Sequence, residues 1–350
     1  MNVKMWKQAV SLLLVVAIVI LLIPSFSLEL KAAYADGIYT FEAGDVAVIT
    51  EDFINTVANG LSASEGEKFR QNPVFQITQG VYSVTVSGDI NVTVIFGTES
   101  GGTYTGVTID RSSDGLGNAN TGNTTKAALY QAGKTLGWKY YDDSYYVPTA
   151  PFWIRDGANV NALFLGDCVL KAGRNRLYMQ SQTSNLSALN GDRGGYAGIQ
   201  VSGDSSLTIM DTGGTLNDPG SLTVYGGWCN TTVDTSAQNN KPNGLSNDNA
   251  SGGAGIGGGA NYDTSRSFTS TYTEGTPGDI TILSGNITAY GGHLAAGIGG
   301  GHNSAATTGT ISILGGNLYV KGGAYAGGIG EGDSAKRSMS GAYKNDYMNS

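Results

Sequence analysis

Cysteine and histidine are nearly absent, with two of each in 350 residues. Two cysteines exclude a disulfide scaffold. Cys168 lies in the apolar run Cys168-Val169-Leu170, so Cys168 and Cys229 read as isolated buried thiols, with pairing in an oxidising compartment as the competing reading. His293 and His302 stand nine apart with no third ligand at metal spacing. The sequence has no Gly-x-Ser-x-Gly nucleophile motif, and no Cys–His catalytic arrangement is legible in it. Positive charge is scarce too: 20 lysines and arginines face 28 acids, a net charge of −8. That balance argues against nucleic acid and anionic lipid as partners. The apolar run Ala9 to Ile23 is 15 residues, short for a membrane span.

That run has another reading. A basic start with Lys4 and Lys7, an apolar core and the small-x-small site Ala33-Tyr34-Ala35 before Asp36 make residues 1–35 an export signal. An uncleaved anchor is the competing reading. Removing the segment takes away three lysines and one glutamate and moves the charge from −8 to −10. The expected location is secreted or at the cell surface. A hydrophobic content of 40% excludes a disordered chain.

Glycine is what the chain has in excess, 54 of 350 residues, about twice the usual share of about 7%. Its placement is periodic. Ala254-Gly255-Ile256-Gly257-Gly258-Gly259 returns as Ala296-Gly297-Ile298-Gly299-Gly300-Gly301, and again as Gly327-Gly328-Ile329-Gly330-Glu331-Gly332. Gly278 to Ile287 matches Gly309 to Leu318 at a spacing of 31, as Ile298 matches Ile329. Ile256 to Ile298 is 42, so that unit carries an 11-residue insertion. Fixed-period self-similarity marks a stacked architecture.

Within one unit Ile280 and Ile282, then Ile287 and Ala289, alternate with Thr281 and Thr288, which is strand periodicity. Ala296 and Ile298 make a third short apolar pair. Ser284-Gly285 and Gly291-Gly292 interrupt the alternation, and glycine turns a chain through positive φ without a Cβ clash. Three short strands with glycine corners form one coil, which buries its apolar face only when stacked. Two glycine-rich alternatives fail. Gly253, Gly255 and Gly258 fit GxGxxG, but no helical periodicity follows in Asn261 to Arg266. A calcium nonapeptide needs Asp where Gly332 stands, with Asp333 one place late.

The same grammar extends back. Ala197-Gly198-Ile199, Leu207-Thr208-Ile209 and Leu222-Thr223-Val224-Tyr225 parallel the later units. Strand text also covers Tyr82 to Val86, Ile90 to Ile95, Gly106 to Asp110 and Phe152 to Leu170. Thr50-Glu51-Asp52 reads as a helix start, with Phe53, Ile54, Val57 and Leu61 on one face. This helix is expected to cap the first rung, whose bare edges would invite aggregation.

The expected division is therefore 1–35 signal, 36–72 strand and capping helix, and 73–332 a parallel β-helix with inserts near 113–150 and 228–252. Residues 333–350 form a polar tail. A next strand pair is missing there, so the expected reading is a fragment of a longer repeat protein, with a polar cap on the last rung as the competing one. The AGIGGG corner, the G-(D/T)-I-(T/S)-I-L-x-G-N strand pair and the GG turn resemble repeats of large secreted or surface-attached bacterial proteins with a right-handed parallel β-helix of pectin-lyase-like fold. The resemblance is strong over 196–332 and weaker over 75–195. It implies an all-β solenoid and adhesin-like or carbohydrate-binding roles.

The first insert holds Trp138, Tyr140, Tyr141, Asp142, Asp143, Tyr145 and Tyr146. Flat rings beside acids suit a polysaccharide or cell-surface glycan, since rings cover apolar sugar faces while polar groups bond hydroxyls. A lid folded back over the column is the competing reading, favoured for Trp153, which sits beside a strand. An alternative function is a calcium-dependent polysaccharide lyase or hydrolase, with candidate carboxylates Asp110, Asp114, Asp156, Asp204, Asp211 and Asp218. Arg155, Arg174, Arg176 and Arg193 are candidate bases or substrate clamps, although a solvated ion pair is the plainer reading of Arg155 beside Asp156. A structural spacer without ligand is the third possibility.

Overall fold

The structure, a computed structural model, describes residues 33–112, 150–173, 195–214, 220–227, 252–259, 277–302, 309–323 and 326–332. Among the described residues the chain is built mostly of short β-strands in parallel sheets, with two helices between β3 and β4. It opens with β1 (Tyr34–Ala35), β2 (Ile38–Phe41), β3 (Val46–Ile49), α1 (Glu51–Gly60), α2 (Ala63–Gln71) and β4 (Val74–Ile77). Then follow β5 (Ser83–Ser87), β6 (Asn91–Phe96), a projecting hairpin of β7 (Thr98–Ser100) and β8 (Thr103–Thr105), and β9 (Thr108–Asp110). Next come β10 (Phe152–Arg155), β11 (Asn159–Leu165) and β12 (Asp167–Lys171), then β13 (Ile199–Val201), β14 (Ser206–Gly213) and β15 (Ser221–Tyr225). The glycine repeats supply β16 (Ile256–Gly257), β17 (Asp279–Ile282) and β18 (Asn286–Tyr290), then β19 (Ile298–Gly299), β20 (Ile311–Ile313), β21 (Asn317–Lys321) and β22 (Ile329–Gly330).

These strands sort into sheets by position in the circuit. The seven-stranded sheet runs β3-β5-β10-β13-β16-β19-β22, the eight-stranded sheet β1-β2-β4-β6-β11-β14-β17-β20, and the five-stranded sheet β9-β12-β15-β18-β21. From β5 onward the chain visits the seven-, eight- and five-stranded sheets in that rotation, leaving aside the β7–β8 hairpin. Sequence spacing becomes register: Ile298 pairs with Ile329, Ile280 with Ile311 and Ile287 with Leu318. Ile256 still pairs with Ile298, because the 11 extra residues fall between Gly259 and Gly278, outside the paired strands.

Alternation decides what is buried. Ile280, Ile282, Ile287 and Ile298 join one continuous core that extends back to Phe41. Ile256 and Ile298 are fully buried, whereas Ile329 is 49% exposed, since β22 is the terminal strand of its sheet. Cys168 lies in this core as a free thiol, which burial pushes up to about 11. Cys229 lies outside the described residues, as do nearly all of both inserts.

The glycines do two different jobs. Gly257, Gly299 and Gly330 pair in register at φ +134°, +131° and +119°, a region closed to most side chains. Gly291 and Gly292 end β18 as expected, but Gly292 does so without a positive φ. It is required for close approach instead, because a Cβ there would lie 1.9 Å from the carbonyl oxygen of Gly227 one rung away.

Two helices stand where one was expected. Thr50 caps α1 by accepting from the Phe53 amide at 3.3 Å. Ser62 caps α2 through a reciprocal box with Glu65. Phe53 packs against Tyr39, Phe41 and Phe75, and Phe69 against Tyr34 and Phe75. Both helices thus join the same core at its β2–β4 end. Among the described residues no helix is long and apolar enough to cross a membrane.

Candidate functional site

In every rung the residues between the buried ones face outward, so each sheet presents ruled columns of side chains one strand apart. On the eight-stranded sheet one column is aliphatic. Ile95 pairs with Leu163. Met210 follows at a bulge, where Ala162 pairs with Ile209 but Leu163 pairs with Asp211. Leu283 and Leu314 continue the column one residue past Ile282 and Ile313, held by their amides to the carbonyls of Ile209 and Ile282. Met210 is 43%, Leu283 42% and Leu314 72% exposed. Leu314 directly follows β20, and Ile313, Tyr319 and Ile329 lie in the last described strands of their sheets, so among the described residues Met210 and Leu283 are the large hydrophobic residues exposed away from a sheet end.

Two residues upstream on the same face runs a polar column, Thr93, Asn161, Thr208, Thr281 and Ser312, paired strand to strand in register. Among the described residues none of these five side chains has a hydrogen-bond partner. The column beyond it is engaged internally: Ser206 donates to Asn159 at 2.6 Å, and Asp279 accepts from the Thr310 amide at 2.7 Å. The open face therefore offers unspent hydrogen-bonding groups beside exposed aliphatic ones.

The five-stranded sheet presents Asp110, Lys171, Tyr225, Tyr290 and Lys321 in one column. The rings of Tyr225 and Tyr290 are 5.0 Å apart and 11° from parallel. At that spacing they overlap face to face, so their faces are used on each other. The Lys171 ammonium covers Tyr225 at 5.7 Å and pairs with Asp110 at 3.0 Å. Burial raises the Asp110 carboxyl, but hydrogen bonds from Ser112 and Lys171 outweigh that and hold it below the usual range. This ladder ties rungs together and offers no flat platform.

The seven-stranded sheet is closed on its outside. Thr85, Trp153, Gln200 and Gly257 pair in register there, and all are buried. The Trp153 indole donates to the Ser202 hydroxyl at 2.8 Å, and its ring meets Tyr196 at 5.5 Å in a satellite cluster with Ala150 and Ala172. Trp153 is thus held on the outer side of its strand. Arg155 lies 4.9 Å over the Trp153 ring and pairs with Asp156 at 2.7 Å, so it is a packed, engaged side chain. Asp89 and Asp204 flank Gly157 from neighbouring rungs, next to Asp156.

Trp138, Tyr140, Tyr141, Asp142, Asp143, Tyr145 and Tyr146 lie outside the described residues, as do Asp114, Asp218, Arg174, Arg176 and Arg193. Asp110, Asp156, Asp204 and Asp211 are described: Asp110 lies on the five-stranded face and Asp211 at the β14 bulge, whereas Asp156 and Asp204 stand at equivalent corners of neighbouring strands, after β10 and after β13. Among the described residues no three of His, Cys, Asp and Glu come together as a metal site. His302 is buried near His293, and burial first, then the neighbouring imidazole, pulls it down to about 4.

The aliphatic column was not singled out from sequence, yet a signal exists. Leu283 and Leu314 follow Ile282 and Ile313 directly, out of phase with the buried positions, and the repeat carries that break twice. No protein-family model, curated protein or solved structure matches the chain.

Proposed function

We propose that the chain is an exported right-handed parallel β-helix of pectin-lyase-like type that binds carbohydrate or another cell-surface ligand in an adhesin-like manner. The rotation of the chain through three parallel sheets, with repeats in register, supports the coil. Right-handedness follows from the crossover rule for parallel strands. In this reading α1 and α2 close the first rung, and the inserts at 113–150 and 228–252 add loops that tune specificity.

The observation that carries binding is the outer face of the eight-stranded sheet, where partnerless hydroxyls and an amide run beside an exposed aliphatic column. A sugar offers the matching pair of surfaces, an apolar C–H face and a rim of hydroxyls. Aromatic residues of the first insert, Trp138 and Tyr141 among them, are a second contact region in the same reading. The test incubates the full chain with neutral and acidic polysaccharides, with and without calcium, and reads both retention and cleavage. Retention without cleavage and without a calcium requirement is the expected outcome. Cleavage abolished by a chelator would replace the binder with a lyase. No retention of any polysaccharide would leave a spacer.

A further inference from the structure

We propose that the mature chain keeps β1 and that its leader is cleaved after Ser27, not after Ala35. This rests on the export reading above and names its processing site. A leader ending at Ala35 would cut away a folded element. Tyr34–Ala35 form β1, which pairs antiparallel with β2, Tyr34 opposite Tyr39 and Ala35 opposite Ile38. Asp36 and Gly37 alone join the two strands, at φ +52° and +85°. A two-residue hairpin loop with both φ positive is of the type I′ kind, whose twist matches the flanking strands, and Asp-Gly is among its preferred pairs. Asp36 is one of three non-glycine residues with positive φ among the described residues, a conformation that needs a local reason, and the hairpin supplies it.

Two further contacts tie β1 to the fold. The Tyr34 ring meets Phe69 edge-on at 5.5 Å. Phe69 is 1% exposed and meets Phe75 as well, so Tyr34 is part of its cover. β1 also occupies the outer edge of β2, whose other edge is paired to β4. All other described pairings of that sheet are parallel, and the one antiparallel strand ends the series. Without β1, the β2 edge would offer unpaired amides and carbonyls to other chains.

The sequence supplies an earlier site. Ser25-Phe26-Ser27 is small-x-small and ends four residues past Ile23, the last of the apolar run. Cleavage there gives a leader of 27 residues, whereas cleavage after Ala35 gives one of 35. Export signals run to about 15–30 residues, which includes the first and leaves out the second.

The experiment expresses the full chain in an exporting bacterial host and reads the N-terminus of the exported form by intact mass and N-terminal sequencing. Ser27→Leu and Ala35→Leu each block one small-x-small site, and Ala35 is exposed, so leucine is tolerated there. The expected N-terminus is Leu28, unchanged by Ala35→Leu and lost with Ser27→Leu. An N-terminus at Asp36 would overturn the site while the export reading stands. An exported chain of full mass, held at the membrane, would overturn the site in favour of an anchor. Full-length chain confined to the cytoplasm would overturn the export reading itself. Unfolding of the exported protein reads the role of β1 separately. Tyr34→Ala should lower the midpoint by about 3 °C or more, and Ala35→Leu should leave it unchanged. Equal midpoints for Tyr34→Ala and the wild type would overturn the place of β1 in the mature fold.

Discussion

A methyl group added to Gly299 would sit 2.0 Å from the carbonyl oxygen of Gly330, at a φ of +131°. Both the neighbouring rung and the local backbone therefore reject a side chain. Gly330 shares the conformation, at +119°, but nothing lies within 4 Å of its added carbon. The pair separates two costs. Gly330→Ala should destabilise by about 1–2 kcal/mol, the price of a left-handed residue. Gly299→Ala should cost about 2 kcal/mol more through overpacking. Urea unfolding of the two variants checks the order, and equal losses would refute it. His302 gives a pH signature. Its native value of about 4 lies below the ordinary 6.5, so the neutral form is the native one. As pH falls through 6.5 the unfolded chain takes up a proton that the native chain refuses. Stability drops until about pH 4 and then levels, a loss on the order of 3 kcal/mol. His302→Gln should remove that loss, read as the difference in unfolding free energy between wild type and variant from pH 7 to 4.5.

At the scale of elements, strands were legible because alternation and burial agree: Ile280, Ile282 and Ile287 fall in the core where period two puts them. Helix α2 was missed for a physical reason. Its sequence Ala63–Gln71 buries only Gly66 and Phe69, too little to print a period. The signal it does carry is local, since Ser62 and Glu65 stand at capping-box spacing. The open columns of the eight-stranded sheet are not legible from sequence because their residues sit on the outward phase of ordinary strands. Register, which the repeats gave only from Ala197 onward, was needed to see Thr93 and Asn161 in one line with Thr208. The helices make their own prediction. Phe69 is fully buried between Tyr34 and Phe75. Phe69→Ala should cost about 3–5 kcal/mol and Ser62→Ala about 1 kcal/mol, both measurable by thermal unfolding. A Phe69→Ala loss no larger than that of Ser62→Ala would show that α2 lies on the core without being part of it.

Among the described residues each interior strand of the three main sheets bonds to a strand on either side, and in the proposed coil stability is then close to a sum of nearest-neighbour terms. The unit from Ile256 to Ile298 tests this directly. It holds 11 more residues than the next, yet both keep the same pairing. Deleting 11 residues between Gly259 and Gly278 should therefore leave the unfolding midpoint within a few degrees. Nearest-neighbour coupling also predicts a gradient. Phe152, Ile154, Val160 and Ala162 of β10 and β11 are buried between rungs on both sides, whereas Ile313 and Ile329, in the terminal strands of their sheets, are 41% and 49% exposed. Opening the last rung breaks one interface, and opening β10 or β11 breaks two. Native-state hydrogen exchange should show the amides of β20 and β22 exchanging at least tenfold faster than those of β10 and β11, with β17 and β19 between them. Uniform protection along the chain would mean that the rungs unfold as one cooperative block, and the additive picture would then fail.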